Sequence, residues 1–485
     1  MMHFRHTVLL KLVFTSILIT SVFSCSVNPV TGKKELILLT EDQEIAMGFQ
    51  SNPEILATFG SYSDQVLQNF INEKGQQMAQ ISHRPNLKYQ FQILDSPVVN
   101  AFALPGGYVY FTRGILAHFN NEAEFAGVLG HEIGHVTARH SARQYSTQIL
   151  LQGALLVGVV VSEDFAQYAG LASTGLGLLM LKFGRDHESQ SDELGVQYST
   201  KIGYDANEMA HFFKTIDRLS GGDGGGVPTF LSTHPNPLDR NKRVKELATE
   251  AQRTIPAGQL KVNRESYLRM IDGLVYGDDP RQGYVENQTF YHPELKFQFP
   301  VPKDWQYQNM PSQVQMAPQD GKSLLVFTLA AEKTLSAAAN GIAQDTSIRI
   351  QDRQNTTVNG LPATFILGDQ RAQDGNTIRS LIYLIQYNDL IYKFIGMAYA
   401  ADFANYRPTF ENVMKNFRAL NDQTKMNVKP DRIRIKTVEK EGTLEAILRG
   451  FGMPESRLEE LSVLNGMALK DLVPKGTLIK VIEKG

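Results

Sequence analysis

His131, Glu132 and His135 stand in an H-E-x-x-H run within the stretch Asn121-Glu-Ala-Glu-Phe-Ala-Gly-Val-Leu-Gly-His-Glu-Ile-Gly-His135. On a helix, residues four apart lie one turn apart on the same face, so the two imidazoles can grip a single zinc ion. Glu132, beside the first of them, can reach a water held at that ion and act as its general base. The chemistry such a trio performs is hydrolysis. With 11 histidines in 485 residues, a chance H-E-x-x-H is roughly a one-in-a-hundred event.

Two histidines leave the ion short of ligands, because a catalytic zinc takes three from the protein and keeps one position open. A third histidine at the H-E-x-x-H-x-x-G-x-x-H spacing is absent: Ala138 stands at the glycine position and Ser141 at the histidine position. His140 is nine residues from His131, roughly on the opposite side of a continuous helix. It reads as a surface residue or one standing behind the ligands. An acidic ligand from a second helix is the better option. Glu188 and Asp192 lie four apart, and like charges at this spacing repel unless a cation is near. Glu188 can ligate, while Asp192 can accept a hydrogen bond from the far nitrogen of a ligating histidine and fix its tautomer. His187 is a rival ligand, pointing about 100° away from Glu188.

A further candidate is His234, in Phe230-Leu-Ser-Thr-His234-Pro-Asn-Pro237. It follows a helix-like stretch (Asn207–Leu219) and a glycine-rich loop, Gly221-Gly-Asp-Gly-Gly-Gly226. The flanking prolines stiffen its segment. A rigid histidine can donate to the oxyanion of a tetrahedral intermediate, or fill the metal's open position and silence it, or sit in a turn with no role.

The elements that must position these residues are legible around them. Ala123, Phe125, Ala126, Val128 and Leu129 give the first helix apolar sides, Asn120 or Asn121 can cap it, and Glu122 and Glu124 suit its first turn. Upstream, Pro105-Gly106-Gly107 marks a turn, and Tyr108-Val-Tyr-Phe111 has strong β propensity. An edge strand there could bind an extended peptide through its main chain.

Taken together and in order, NEAEFAGVLG with His131-Glu132-Ile-Gly-His135, then Glu188-x-x-x-Asp192 before Gly195, then Ser-Thr-His234-Pro, resemble the HtpX/BepA-like family of zinc metalloendopeptidases, in its exported bacterial lipoprotein branch. Asn100-Ala-Phe-Ala-Leu-Pro-Gly-Gly107 and Tyr108–Phe111 are similar to the segment upstream of that family's zinc helix. The resemblance spans about residues 27–255. It implies one zinc per chain held by His131, His135 and Glu188, with Glu132 as base, Asp192 behind the ligands and His234 as a regulatory or transition-state residue. It also implies a mainly helical gluzincin-type fold with a small sheet.

The N-terminus reads as a targeting segment. Arg5 and Lys11 flank its start, Leu9–Phe23 is largely apolar, and it ends in Val-Phe-Ser-Cys25, the chain's only cysteine. The placement resembles a bacterial lipobox, with residues 1–24 as signal peptide and Cys25 as the lipid-modified residue. Ser26 after it is what the resemblance associates with the outer membrane, on the periplasmic side. Loss of Arg5 and Lys11 takes the net charge from −2 to −4. No basic cluster points to nucleic acid. A second apolar region, Ile149–Val161 and Tyr168–Leu181, is broken by Ser162-Glu-Asp164 and reads as buried or groove-lining.

The length predicts several domains, together an α+β multidomain protein: a metallopeptidase domain over 27–257, a small α+β domain over 285–420 and a C-terminal module over 430–485. In the second, Leu295–Phe299, Leu324–Leu329 and Leu381–Tyr387 read as strands and Ala401–Phe417 as a helix. Phe290-Tyr-His-Pro-Glu-Leu-Lys-Phe and Val301-Pro-Lys-Asp-Trp305 resemble the opening of PsbP-like domains. The last segment reads β-α-α-β, and its G-T-L, L-N-G and P-x-G residues resemble a LysM-like module, for which peptidoglycan or a protein is the candidate partner. The helical repeats that some family members carry there are absent, so their partners are not carried over.

The leading expectation is therefore a zinc metalloendopeptidase of the cell envelope, acting on unfolded or misassembled envelope proteins. Two others stand beside it: a chaperone or assembly factor whose peptide groove is plugged, and a peptidoglycan-anchoring protein.

Overall fold

The computed structural model describes residues 25–154, 178, 183–220, 230, 233–234, 237–372 and 375–485. The expected signal peptide, the glycine-rich loop and most of the second apolar region lie outside the described residues.

Short strands β1 (Cys25–Val27) and β2 (Lys34–Leu36) pair antiparallel at the start. Helices α1 (Glu41–Phe59) and α2 (Gln65–Gln80) follow, capped by Thr40 and Asp64 side chains that accept from backbone N–H groups. Strands β3 (Gln90–Leu94), β4 (Ala101–Leu104) and β5 (Tyr108–Thr112) form a sheet in the order β3-β5-β4, with β3 parallel and β4 antiparallel to β5. The turn into β5 falls where Pro-Gly-Gly predicts it. Gly106 and Gly107 have φ of 81° and 94°, values glycine adopts without a steric penalty. The edge expected at Tyr108–Phe111 is not there: β5 is paired on both sides, and β4 and β3 form the sheet edges.

Next come α3 (Arg113–His118), α4 (Glu122–Thr137), α5 (His140–Ala154), α6 (Arg185–Lys201), α7 (Asn207–Ser220), α8 (Pro237–Gln252) and α9 (Arg264–Met270). Every residue of α4 is buried, as befits a helix with apolar sides all round. It packs against α6 at glycines. A Cβ on Gly130 would come within 3.0 Å of the Gly195 backbone, and one on Gly134 within 3.2 Å of Ser191 Cα. Without side chains at these contacts, the two helices close enough for α6 to face His131 and His135 with carboxylates.

Strand β6 (Val275–Tyr276) closes this part. The middle of the chain is mostly sheet. Strands β7 (Tyr284–Glu286), β8 (Thr289–His292) and β9 (Phe297–Pro300) join a late strand, β17 (Arg418–Ala419), in the order β17-β9-β8-β7. Strands β10 (Trp305–Met310), β11 (Gln313–Pro318), β12 (Ser323–Leu329), β13 (Ile348–Val358), β14 (Leu361–Arg371), β15 (Thr377–Tyr387) and β16 (Leu390–Tyr399) form a seven-stranded antiparallel sheet, ordered β10-β11-β12-β16-β15-β14-β13. Helices α10 (Leu335–Gln344) and α11 (Phe403–Lys415) pack on it. An aromatic core of its own, with Phe290, Phe297, Phe299, Phe327, Tyr392 and Phe417, holds this part together.

After a short α12 (Gln423–Met426) come β18 (Asp431–Thr437), β19 (Gly442–Thr443), α13 (Leu444–Gly450), α14 (Leu458–Leu464), β20 (Leu472–Val473) and β21 (Leu478–Lys484). Strand β18 pairs with β21 on one side and with β6 on the other. Leu444, Leu461, Leu464, Ile479 and Val481 lie in the same apolar core as Ile115, Leu116, Phe119 and the flank of α4. The two ends of the chain therefore share one core, around the helix that carries the H-E-x-x-H motif. The chain is a multidomain α+β protein. Among the described residues no helix is long and apolar enough to cross a membrane.

Candidate metal centre

Helix α4 brings His131 and His135 together with their Nε2 atoms 2.9 Å apart. From α6, Glu188 places Oε2 3.6 Å from His131 Nε2 and Oε1 3.5 Å from His135 Nε2. His234 enters from just before α8. Its Nδ1 lies 3.0 Å from Glu188 Oε1 and 3.3 Å from His131 Nε2. One ligand atom from each of these four buried residues lies within 4.8 Å of the others.

The polar groups fit a cation. Both carboxylate oxygens of Glu132 and the Nε2 of His234 are buried without a hydrogen-bond partner, a costly state for a purely structural cluster. The two Nε2 atoms of His131 and His135 face each other across one short gap, where a cation would satisfy both lone pairs at once. Three imidazole nitrogens and one carboxylate oxygen form a donor set suited to zinc.

Charged groups behind the cluster hold it in place. Asp192 Oδ1 lies 2.9 Å from His131 Nδ1. Arg240 clamps the same carboxylate with Nε at 2.9 Å from Oδ2 and Nη2 at 2.7 Å from Oδ1, and its Nη1 lies 3.0 Å from Glu188 Oε2. Burial alone would raise the Asp192 carboxyl, but the charge and hydrogen bonds of Arg240, joined by His131, bring it down to about 2. Burial likewise opposes ionisation of Glu188, and His234 with Arg240 overcomes it, holding that carboxyl below its usual range. Glu132 has less compensation, and burial pushes its carboxyl up. Burial drives the His135 imidazolium well below its ordinary range.

The structure places His140 differently from the expectation of a continuous helix. Helix α4 ends at Thr137, Arg139 adopts φ of 58°, and α5 starts at His140. The chain turns back, so the His140 ring comes to lie against the first histidine pair, Nδ1 to Nδ1 of His135 at 3.0 Å. Burial pushes His140 down to about 3. His187, the rival ligand, stacks on His140 with ring centroids 4.4 Å apart and is not among the four clustered residues. Arg240 was not singled out from sequence. It lies six residues after His234 in the first turn of α8, and no spacing rule marks an arginine there. Cys25 is the first residue of β1.

Residues 66–248 match the family model described as Peptidase family M48. The putative beta-barrel assembly-enhancing protease of Vibrio cholerae is 31% identical over 223 residues, covering 44% of this chain and 45% of that protein. The mitochondrial metalloendopeptidase OMA1 of Arabidopsis thaliana is 31% identical over 237 residues, covering 47% and 45%. The beta-barrel assembly-enhancing protease of Escherichia coli (strain K12) is 29% identical over 230 residues, covering 45% and 46%. The chain thus spans about half the length of these curated relatives. Among solved structures, cyanobacterial PsbP (CyanoP) from Synechocystis aligns at 10% identity over 27% of this chain and 91% of that one, with a TM-score of 0.23, too low to bear on the fold. The matched stretch contains all four clustered residues together with Glu132, Asp192 and Arg240: residues 66–248 are a peptidase family M48 domain.

Proposed function

We propose that the chain is a zinc-dependent metalloendopeptidase of the bacterial cell envelope that hydrolyses peptide bonds of misfolded or stalled envelope proteins. The observation that carries this reading is the meeting of His131, His135 and Glu188 beside a buried Glu132 carboxylate that accepts no hydrogen bond and has, among the described residues, only His234 Nε2, 3.7 Å from its Oε1, as a charged neighbour in ion-pair range.

In this reading His131, His135 and Glu188 hold the metal. Zinc bound there supplies Lewis-acid polarisation and makes water more acidic. Glu132 takes a proton from the attacking water and passes it to the leaving amine. Its burial makes it a stronger base than an exposed glutamate. Asp192 accepts the Nδ1–H of His131, which keeps the Nε2 lone pair turned inward, and Arg240 keeps Asp192 ionised. Strand β4, at the sheet edge beside α4, is the candidate platform for an extended peptide, read through its main chain.

His234 is assigned as a switch. Its Nδ1 lies inside the ligand cluster, where it would close the position that water or a substrate carbonyl needs, so it must leave when substrate enters. This supports a resting state that is shut, a feature the plugged-groove reading shares. The envelope location rests on residues 1–24, on Cys25 as lipid anchor, and on the printed names of the bacterial relatives. The domain limits 27–257, 285–420 and 430–485, and a LysM-like role of the last in binding peptidoglycan or a protein, belong to the same proposal.

The test is hydrolysis of an unfolded protein by wild type and by Glu132→Gln. The variant should keep one zinc per chain and lose on the order of 10²–10⁴-fold in rate. Near-normal cleavage would place catalysis elsewhere. In the same assay His234→Ala should be more active than wild type. A fall of about 10²–10³-fold would make His234 an oxyanion donor instead.

A further inference from the structure

Each of the two histidines on α4 has a partner behind it, and the partners differ in charge. His131 Nδ1 faces the carboxylate of Asp192 at 2.9 Å. His135 Nδ1 faces another imidazole, that of His140, at 3.0 Å. The far nitrogen of His140, Nε2, lies 2.9 Å from Gln190 Oε1, and Ser191 Oγ lies 3.2 Å from its Nδ1.

Only one assignment of protons satisfies this chain when His135 offers its Nε2 lone pair to the cluster. The His135 proton then sits on Nδ1 and must be donated. His140 Nδ1 must accept it, so the His140 proton sits on Nε2. That proton needs an acceptor, and the amide oxygen of Gln190 is there. Each link fixes the tautomer of the next.

The backbone departs from regular helix to make this contact. Arg139 takes a left-handed conformation, which costs roughly 1–2 kcal/mol for a residue with a Cβ. It is held there by Glu44 and Ser26 through its guanidinium, and by a 2.8 Å bond to Leu39 O. A continuous helix would have carried His140 away from His135.

Charge explains why the partner is neutral. With zinc bound, Glu132, Glu188 and Asp192 are balanced by the ion and by Arg240. A second carboxylate behind His135 would leave a net negative charge in a fully buried site, which is expensive.

We propose that His140 is the positioning residue for His135: it accepts the Nδ1–H of His135, is anchored in turn by Gln190, and so aims the His135 lone pair at the metal without adding charge. This rests on the metallopeptidase reading above.

The test measures zinc affinity by competition with a chelator, and the visible spectrum of the cobalt(II)-substituted protein, in the full chain. His140→Phe keeps a ring of similar size and removes the acceptor. It should weaken zinc binding about 10–100-fold and alter the cobalt bands. His140→Asn places an oxygen near the position of Nδ1 and should recover most of that loss. Gln190→Leu, at the half-buried end of the chain of bonds, should give a smaller loss of the same kind. Wild-type affinity and spectrum in folded His140→Phe would overturn the proposal, as would a His140→Asn no better than His140→Phe. If His140→Phe does not fold, unchanged zinc affinity in Gln190→Leu overturns it. A wild-type protein that holds no zinc would instead bring down the metallopeptidase reading itself.

Discussion

At its N-terminal end α4 carries Glu122 and Glu124, and near its C-terminal end it carries Glu132; all three are buried. Glu122 accepts from Tyr204 Oη, Asn263 Nδ2 and Ser266 Oγ, each at 2.8 Å. Glu124 accepts from the Asn120 backbone at 2.7 Å. Close by, the fully buried Lys480 of β21 donates to Ala117 O, Phe119 O and Leu464 O at 2.7–2.9 Å. Burial works against its charge, yet three acceptors need three hydrogens, which only the ammonium has. Glu124 favours that charge, while burial pushes its own carboxyl up to about 7. Two turns of helix further on, neither oxygen of Glu132 accepts a hydrogen bond, and His234 Nε2 comes no closer than 3.7 Å to Oε1. One end of the helix is saturated and ties two parts of the chain together. The other leaves its carboxylate without a hydrogen bond. The contrast separates groups that hold the fold from groups kept for chemistry, since a buried polar group left unpaired has to be explained by something the fold alone does not need.

The saturated end should give the largest stability effect. Lys480→Met leaves three buried carbonyls without their donor and removes the cation that acts on Glu124, and should cost about 3–5 kcal/mol of global stability, read by denaturant unfolding. A loss confined to residues 431–484, with α4 unaffected in hydrogen exchange, would break the comparison. At the open end, chelating the metal should lower stability by about 3–4 kcal/mol if zinc is present at several hundred times its dissociation constant. Amide protection should fall around His131–Thr137 and persist around Ala123–Leu129. Equal loss along the helix would show that both ends depend on the metal.

A smaller effect follows from pH in the metal-free protein. Asp192 is held at about 2, below its ordinary value of 3.8. The unfolded chain therefore takes up that proton first on acidification. The stabilisation is complete above about pH 4 and lost as pH falls towards 2, about 2 kcal/mol in all. Asp192→Asn should flatten the acid limb of the stability curve, and an unchanged limb would remove Asp192 from the account. The smallest expected change is at the cap. Asn121→Ala removes the side chain that accepts from Glu124 N and should cost about 1 kcal/mol, with zinc content unchanged.

Local signals accounted for the elements near the motif. The 3.6-residue period put His131 and His135 on one face, Asn121 caps the helix that the apolar pattern predicts, and Pro105-Gly-Gly marks the turn before β5. The strands expected at Leu324–Leu329 and Leu381–Tyr387 lie within β12 and β15, and the helix expected over Ala401–Phe417 is α11, shorter by two residues at each end. These depend on residues a few positions apart, and their chemistry is local.

What escaped the sequence depends on residues far apart. His140 lies beside His135 because Arg139 is held left-handed by Glu44, 95 residues away, and helical periodicity cannot register such a break. Arg240 reaches Asp192 from a separate helix. Lys480 reads as one more lysine in a strand until β21 packs it against the carbonyls ahead of α4. By itself the sequence determined which groups could bind a metal and move a proton, because those follow from residue type and short spacing. Only the tertiary structure decided which of them meet, and which buried charge is answered by a partner, because both depend on how helices from distant parts of the chain close around one core.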